Sequence, residues 1–109
     1  GTCVRDFVHV LDLADAHVRA LDHMTDVPGA HAFNLGNGTG FSVMQVIRAA
    51  EQVTGLPVPF ESAPRRAGDP PVLVAASQRA REVLGWAPTY TDIEAVLRSA
   101  WDWHRAPAF

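Results

Sequence analysis

Polar and apolar positions alternate over residues 4–10 (VRDFVHV), with Val4, Asp6, Val8 and Val10 on one side and Arg5, Phe7 and His9 on the other. This predicts a short strand or extended segment. The period then lengthens. Asp12 is placed to cap a helix running to about Met24, with Leu13, Val18, Leu21 and Met24 along one stripe, and Pro28 and Gly29 end it. Residues 31–35 (HAFNL) read as a second short strand, followed by a flexible glycine turn at 36–40 (GNGTG).

Ser42 with Gln45 three residues on forms a capping box, and Val43, Val46, Ile47, Ala50 and Val53 repeat at helical spacing behind it. Gly55 suits a left-handed C-cap and Pro57 blocks continuation. Residues 58–61 predict a third strand. The loop 63–71 is too rich in Pro and Gly for regular structure, and residues 72–74 read as extended. Ser77 is placed to cap a short helix that Gly85 closes after Leu84. Thr91 with Glu94 suggests another capping box, and Ile93, Val96, Leu97, Ala100 and Trp101 stripe a last helix.

Short strands interleaved with four helices define a mixed α/β class. The strands are few, so the sheet is expected to be small and poorly covered. The chain has 109 residues, 48% of them hydrophobic and 19% charged, the size and balance of one soluble domain. A domain of this size buries about two-thirds of its unfolded surface. Marginal stability follows, and the pattern is that expected of part of a larger unit.

The formal charge is −3, which removes the basic surplus that a sequence-independent grip on nucleic acid requires. No stretch approaches the roughly 18 to 20 apolar residues needed to span a bilayer. No basic segment followed by an apolar one opens the sequence. A cytoplasmic protein with neither nucleic-acid nor membrane partner is the expectation. Cys3 is the only cysteine, so neither an internal disulfide nor a thiolate zinc cluster is expected. His17 and His23 lie six apart on a predicted helix and point in different directions, so no metal site is expected. All nine basic residues are arginine. Without lysine these residues offer no Schiff base, no P-loop lysine and no Tyr/Lys proton relay.

Candidate chemistry gathers in the loop that carries Arg65, Arg66, Gly68 and Asp69. Guanidinium groups bind phosphate oxygens bidentately and keep their charge, whereas an aspartate accepts hydrogen bonds from vicinal ribose hydroxyls. Gly68 permits a sharp turn or a close ligand approach. The same residues also suit a solvated turn with a surface ion pair worth at most about 1 kcal/mol. Arg5, on a strand beside apolar neighbours, must reach solvent or meet an anion, and Asp6 is a possible local partner. The run 36–40 is GxGxG rather than GxGxxG, and no acidic strand end follows about 20 residues later. A turn is expected there, not a dinucleotide site. Trp86, Tyr90, Trp101 and Trp103 suit core packing or a subunit contact better than base stacking. Ser42, Ser77 and Thr91 are accounted for by capping, which leaves no nucleophile with an evident base.

Four segments, residues 1–17 (GTCVRDFVHVLDLADAH), 33–43 (FNLGNGTGFSV), 64–69 (PRRAGD) and 84–86 (LGW), closely resemble the C-terminal part of the UDP-glucose 4-epimerase family. This family lies within the extended short-chain dehydrogenase/reductases. The segments occur in the family's order and span nearly the whole chain; each is weak alone and jointly they are specific. The resemblance implies that residues 1–109 are a C-terminal UDP-sugar-binding portion, a small mixed α/β subdomain without the Rossmann domain. It implies that Arg5 and Arg66 bind the diphosphate, that Asp69 holds the ribose hydroxyls, and that Ala67 and Gly68 line that loop. Leu73 falls where the family sets the space around the hexose, leaving N-acetylated sugars open, and Phe7 stands where tyrosine is more usual.

The implied reaction interconverts UDP-glucose and UDP-galactose through a 4-keto sugar with bound NAD, in an enzyme expected to be a homodimer at full length. The family's catalyst is a Tyr-x-x-x-Lys pair, and its NAD is held by an N-terminal domain. These residues have neither, since Tyr90 is the only tyrosine and is followed by Thr91, Asp92, Ile93 and Glu94. No catalytic or cofactor-binding residue is therefore expected within them. Alternatives are a UDP-arabinose or UDP-glucuronate 4-epimerase, a related dehydratase, or a non-catalytic UDP-sugar-binding module.

Overall fold

The computed structural model describes residues 2–108. Its elements are β1 (Val4–Arg5), α1 (Val10–Asp26), β2 (Phe41–Ser42), α2 (Val43–Thr54), β3 (Val72–Leu73), α3 (Gln78–Leu84) and α4 (Ile93–Arg105). The three strands form one sheet in the order β2-β1-β3. β1 runs antiparallel to β2, with Val4 opposite Ser42, and parallel to β3, with Arg5 opposite Leu73. The fold is mixed α/β with a small sheet, as the hydrophobic pattern predicted. Arg5 therefore sits on the central strand.

Each strand is only two residues long, so ladder bonds alone hold little. Side chains supply the rest. The Asp6 carboxylate accepts hydrogen bonds from the backbone N–H groups of Asn37 (2.8 Å), Gly38 (3.1 Å) and Ala75 (3.2 Å). It thereby ties the end of β1 to the glycine turn and to the residues after β3. This clamp ends the predicted strand over residues 4–10 at Arg5, and Asp6 does not pair with Arg5. Gly36 and Gly40 permit the close approach, because a Cβ on Gly36 would stand 2.5 Å from both the Ala75 Cβ and the Asp6 Oδ2, and one on Gly40 would overlap Val4.

α1 begins at Val10 because His9, not Asp12, is its N-cap: the His9 Nδ1 accepts from the Leu11 N–H at 3.0 Å. Asp12 is buried. Its two carboxylate oxygens accept from the N–H groups of Thr89 and Tyr90, and its carbonyl accepts from the Trp86 indole N–H at 2.8 Å. The capping box of α2 forms as expected, with reciprocal bonds between Ser42 and Gln45, and Gly55 closes the helix at φ +70°.

Two expected strands are absent among the described residues. Residues 31–35 place Phe33 and Leu35 against the core of Ala16, Ala80 and Trp86, so side-chain packing replaces a ladder. In residues 58–61 the Val58 N–H is taken by the Glu51 carboxylate, which removes a ladder donor. Helix starts differ too. The Ser77 hydroxyl donates to the Gly36 carbonyl instead of capping α3, and Asp92 rather than Thr91 caps α4 through the Glu94 N–H. α2 packs on α4 and α1 on α3, while Val10, Leu11, Val18, Leu21 and Met24 of α1 remain exposed.

Candidate functional site

β1 and the loop before β3 bring three charged side chains together. The Arg5 guanidinium donates through Nη1 to the Val4 carbonyl at 2.8 Å and through Nη2 to Asp69 Oδ1 at 2.6 Å. Arg66 donates through Nη2 to Asp69 Oδ2 at 3.2 Å. Asp69 reaches this point because residues 66–69 form a turn closed by the Asp69 N–H on the Arg66 carbonyl, with Gly68 at φ +78°. A β-carbon at position 68 would be strained.

The three differ in freedom. The side chains of Arg5 and Asp69 are about three-quarters covered, at 25% and 23% exposure, while Arg66 is 85% exposed. Arg5 is thus fixed at two points, while Arg66 reaches Asp69 from an otherwise exposed arm. Partial desolvation, the largest single influence, raises the Asp69 pKa, but the Arg66 hydrogen bond and the charges of Arg5 and Arg66 together outweigh it. The net result holds the carboxyl below its ordinary value.

Beside this cluster lies a hollow of about 400 Å³ whose lining includes Thr2, Cys3, Met44, Ile47 and Phe60 together with Arg65, Arg66 and Asp69. Ala67 and Gly68, with Arg66 and Asp69, line a second depression of about 290 Å³. Leu73 is exposed opposite Arg5 on β3 and lines neither hollow. Met44, Ile47 and Phe60 gave no sequence signal of a site, because the first two sit in an ordinary amphipathic helix. Arg65 was visible only as half of an arginine pair.

Elsewhere, the described residues offer little chemistry. Among the described residues no group of three or more His, Cys, Asp or Glu is placed to hold a metal ion. His9 Nε2 lies 2.8 Å from the Ser99 Oγ, which resembles a base beside a nucleophile. It is not one. The His9 Nδ1 accepts from Leu11, so Nε2 carries the proton and donates to Ser99, whose own proton goes to the Val96 carbonyl. Tyr90 stacks on the His9 ring at 4.0 Å and so completes a structural contact. The glycine turn is likewise committed, because the Asn37 and Gly38 N–H groups face Asp6.

With its remaining N–H donors the Arg5/Arg66 pair can take an anion, and the outer lone pairs of Asp69 can accept hydroxyl protons. Residues 1–36 match the NAD dependent epimerase/dehydratase family. The chain is a partial α/β unit of the short-chain dehydrogenase/reductase fold.

Its relatives are UDP-glucose 4-epimerases. The enzyme of Halalkalibacterium halodurans is 50% identical over 105 residues, covering 96% of this chain and 31% of that protein. The one of Streptococcus mutans is 55% identical over 104 residues, covering 95% and 31%. A crystal structure of a UDP-glucose 4-epimerase superimposes with a TM-score of 0.90 at 47% identity, over 98% of this chain and 32% of that one. The Bifidobacterium longum enzyme in complex with NAD+ and UDP gives 0.87 at 40% identity, over 97% and 31%. The chain therefore spans about 31% of the length of the curated relatives it matches. Among the described residues no helix is long and apolar enough to cross a membrane.

Proposed function

We propose that residues 1–109 are the C-terminal UDP-sugar-binding portion of an NAD-dependent UDP-hexose 4-epimerase that interconverts UDP-glucose and UDP-galactose through a 4-keto sugar. The convergence of Arg5 and Arg66 on Asp69, across 64 residues of sequence and beside a hollow of about 400 Å³, carries this reading. In it, Arg5 and Arg66 bind the diphosphate and Asp69 accepts the ribose hydroxyls. Ala67 and Gly68 let the nucleotide approach the backbone, and Leu73 borders the hexose. Tight hold on the nucleotide leaves the sugar free to turn, because binding energy from a non-reacting part anchors the reacting one.

The residues described here do not fit NAD. Two N–H groups of the glycine-rich turn, those of Asn37 and Gly38, are taken by Asp6, and in this reading NAD is held by a dinucleotide-binding domain of the full-length enzyme. The reading also makes the full-length enzyme a cytoplasmic homodimer. Its test is Arg66→Ala in the full-length enzyme, with UDP-glucose binding followed by calorimetry. Loss of charge-assisted bonds worth about 1.5 to 3 kcal/mol weakens binding about 10- to 100-fold. Unchanged affinity overturns the assignment.

A further inference from the structure

Arg65 lines the same hollow as Arg66 and Asp69, is exposed, and has no ion-pair, hydrogen-bond or ring partner among the described residues. Its neighbour Arg66 is engaged with Asp69, and so is Arg5. The lining of the hollow carries Arg65 and Arg66 against Glu61 and Asp69, and Arg5, paired with Asp69, adds a further positive charge beside it. Of the three arginines, Arg65 is the one that no carboxylate engages among the described residues. A charge with no protein partner, on a side chain long enough to stay solvated at the rim, acts at a distance before any contact forms.

We infer that Arg65 is a steering residue: it draws the diphosphate of a UDP-sugar toward the hollow and hands it to Arg5 and Arg66, without taking a fixed place in the bound complex. The inference rests on the proposed UDP-sugar site and adds a kinetic division of labour within the arginine pair. Steering needs charge alone, whereas a bidentate contact needs the guanidinium fork. The two roles are therefore separable by substitution.

The experiment is stopped-flow binding of UDP-glucose to the full-length enzyme bearing Arg65→Ala, Arg65→Lys or Arg65→Glu, at low and high salt. A unit charge about 8 Å from a dianion, screened by a Debye length of about 30 Å at 0.01 M salt, changes the encounter rate about fourfold. Arg65→Ala is expected to slow association about fourfold at 0.01 M salt and by less than about 1.5-fold at 0.5 M. Lysine restores the rate, glutamate slows it further, and dissociation changes less than about twofold. An unchanged association rate overturns the inference. So does a defect confined to dissociation that lysine fails to restore, because Arg65 is then a direct contact. Failure of the unsubstituted enzyme to bind UDP-glucose at all sinks the proposed function instead, which keeps the two failures distinct.

Discussion

Replacing Asp6 by asparagine tests whether one carboxylate sets the geometry of the site. Asp6 Oδ1 accepts from Asn37 N–H at 2.8 Å, and Oδ2 accepts from Gly38 at 3.1 Å and Ala75 at 3.2 Å. An amide has one acceptor oxygen. If it keeps the Gly38 and Ala75 bonds, its NH₂ group faces the Asn37 N–H; if it turns over, two bonds are lost and the donor conflict moves. Either way at least one bond to a charged acceptor disappears, worth about 1.5 to 3 kcal/mol, and a donor faces a donor. The Gly38 end is open to water, which limits the damage there. A destabilisation of about 2 to 3 kcal/mol is expected for Asp6→Asn. Urea unfolding, followed by the emission of buried Trp86, measures it, with an unchanged slope showing that the midpoint shift is stability. Asp15→Asn is the matched control, since Asp15 makes only an exposed pair with Arg19 at 3.0 Å and costs under about 0.5 kcal/mol. The substitution at Asp6 also releases the backbone beside Arg5, so UDP-glucose affinity falls about tenfold. If Asp6→Asn costs no more than Asp15→Asn, the clamp argument is wrong.

The Asp69 carboxyl is held below its ordinary pKa of 3.8, so its contribution is complete above that value and is lost as pH falls through the lower folded-state value. The stability gap between the native protein and Asp69→Asn, measured by urea unfolding, should therefore be flat from pH 7 to about 5 and close on further acidification; a gap that widens in acid refutes the pairing. Gly36→Ala should destabilise by about 1 to 3 kcal/mol, read as a lowered melting temperature, because its Cβ meets Ala75 and Asp6 at 2.5 Å and no positive φ is involved. Trp86→Phe should cost about 2 to 3 kcal/mol in chemical unfolding, since it removes a fully buried indole and its 2.8 Å bond to the Asp12 carbonyl.

What the sequence revealed was local. The capping box of α2 and its glycine stop were legible because both signals lie within a few residues of the turns they make. Asp12 was not legible in this way. It looks like an N-cap, but its partners lie 77 and 78 residues away, and burial with Thr89 and Tyr90 outweighs the local capping preference. The strands expected at residues 31–35 and 58–61 fail for a related reason. Alternation marks which side chains are covered, and Phe33 and Leu35 are covered by packing on the Trp86 core without any neighbouring strand. For the candidate site, the arginine pair and Asp69 stood out by composition, but nothing in spacing connected Arg5 to them. That connection came from family resemblance, and the geometry brings Arg5 and Asp69 within 2.6 Å.

Arg5 of β1 and Asp6 just after it show how so small a sheet organises a binding surface. Successive side chains on a strand project to opposite faces. Arg5 goes to one side, to Asp69 in the loop before β3; Asp6 goes to the other, to the glycine turn before β2 and to Ala75 after β3. The end of β1 thus presents with Arg5, and the residue that follows it holds. The two carboxylates are also spent differently. Asp6 gives its oxygens to three backbone N–H groups and so belongs to the scaffold, whereas Asp69 gives each oxygen to one guanidinium and keeps 23% of its side-chain surface exposed. Only Asp69 can therefore exchange or share its partners with an incoming ligand. A substitution at Asp6 acts on binding through the position of Arg5, and one at Asp69 acts on the contact itself. Asp6→Asn should consequently weaken UDP-glucose and inorganic pyrophosphate by similar factors, while Asp69→Asn should discriminate between them, because pyrophosphate has no ribose hydroxyls to lose. Equal discrimination by both variants would show that Asp6 and Asp69 are not divided in this way.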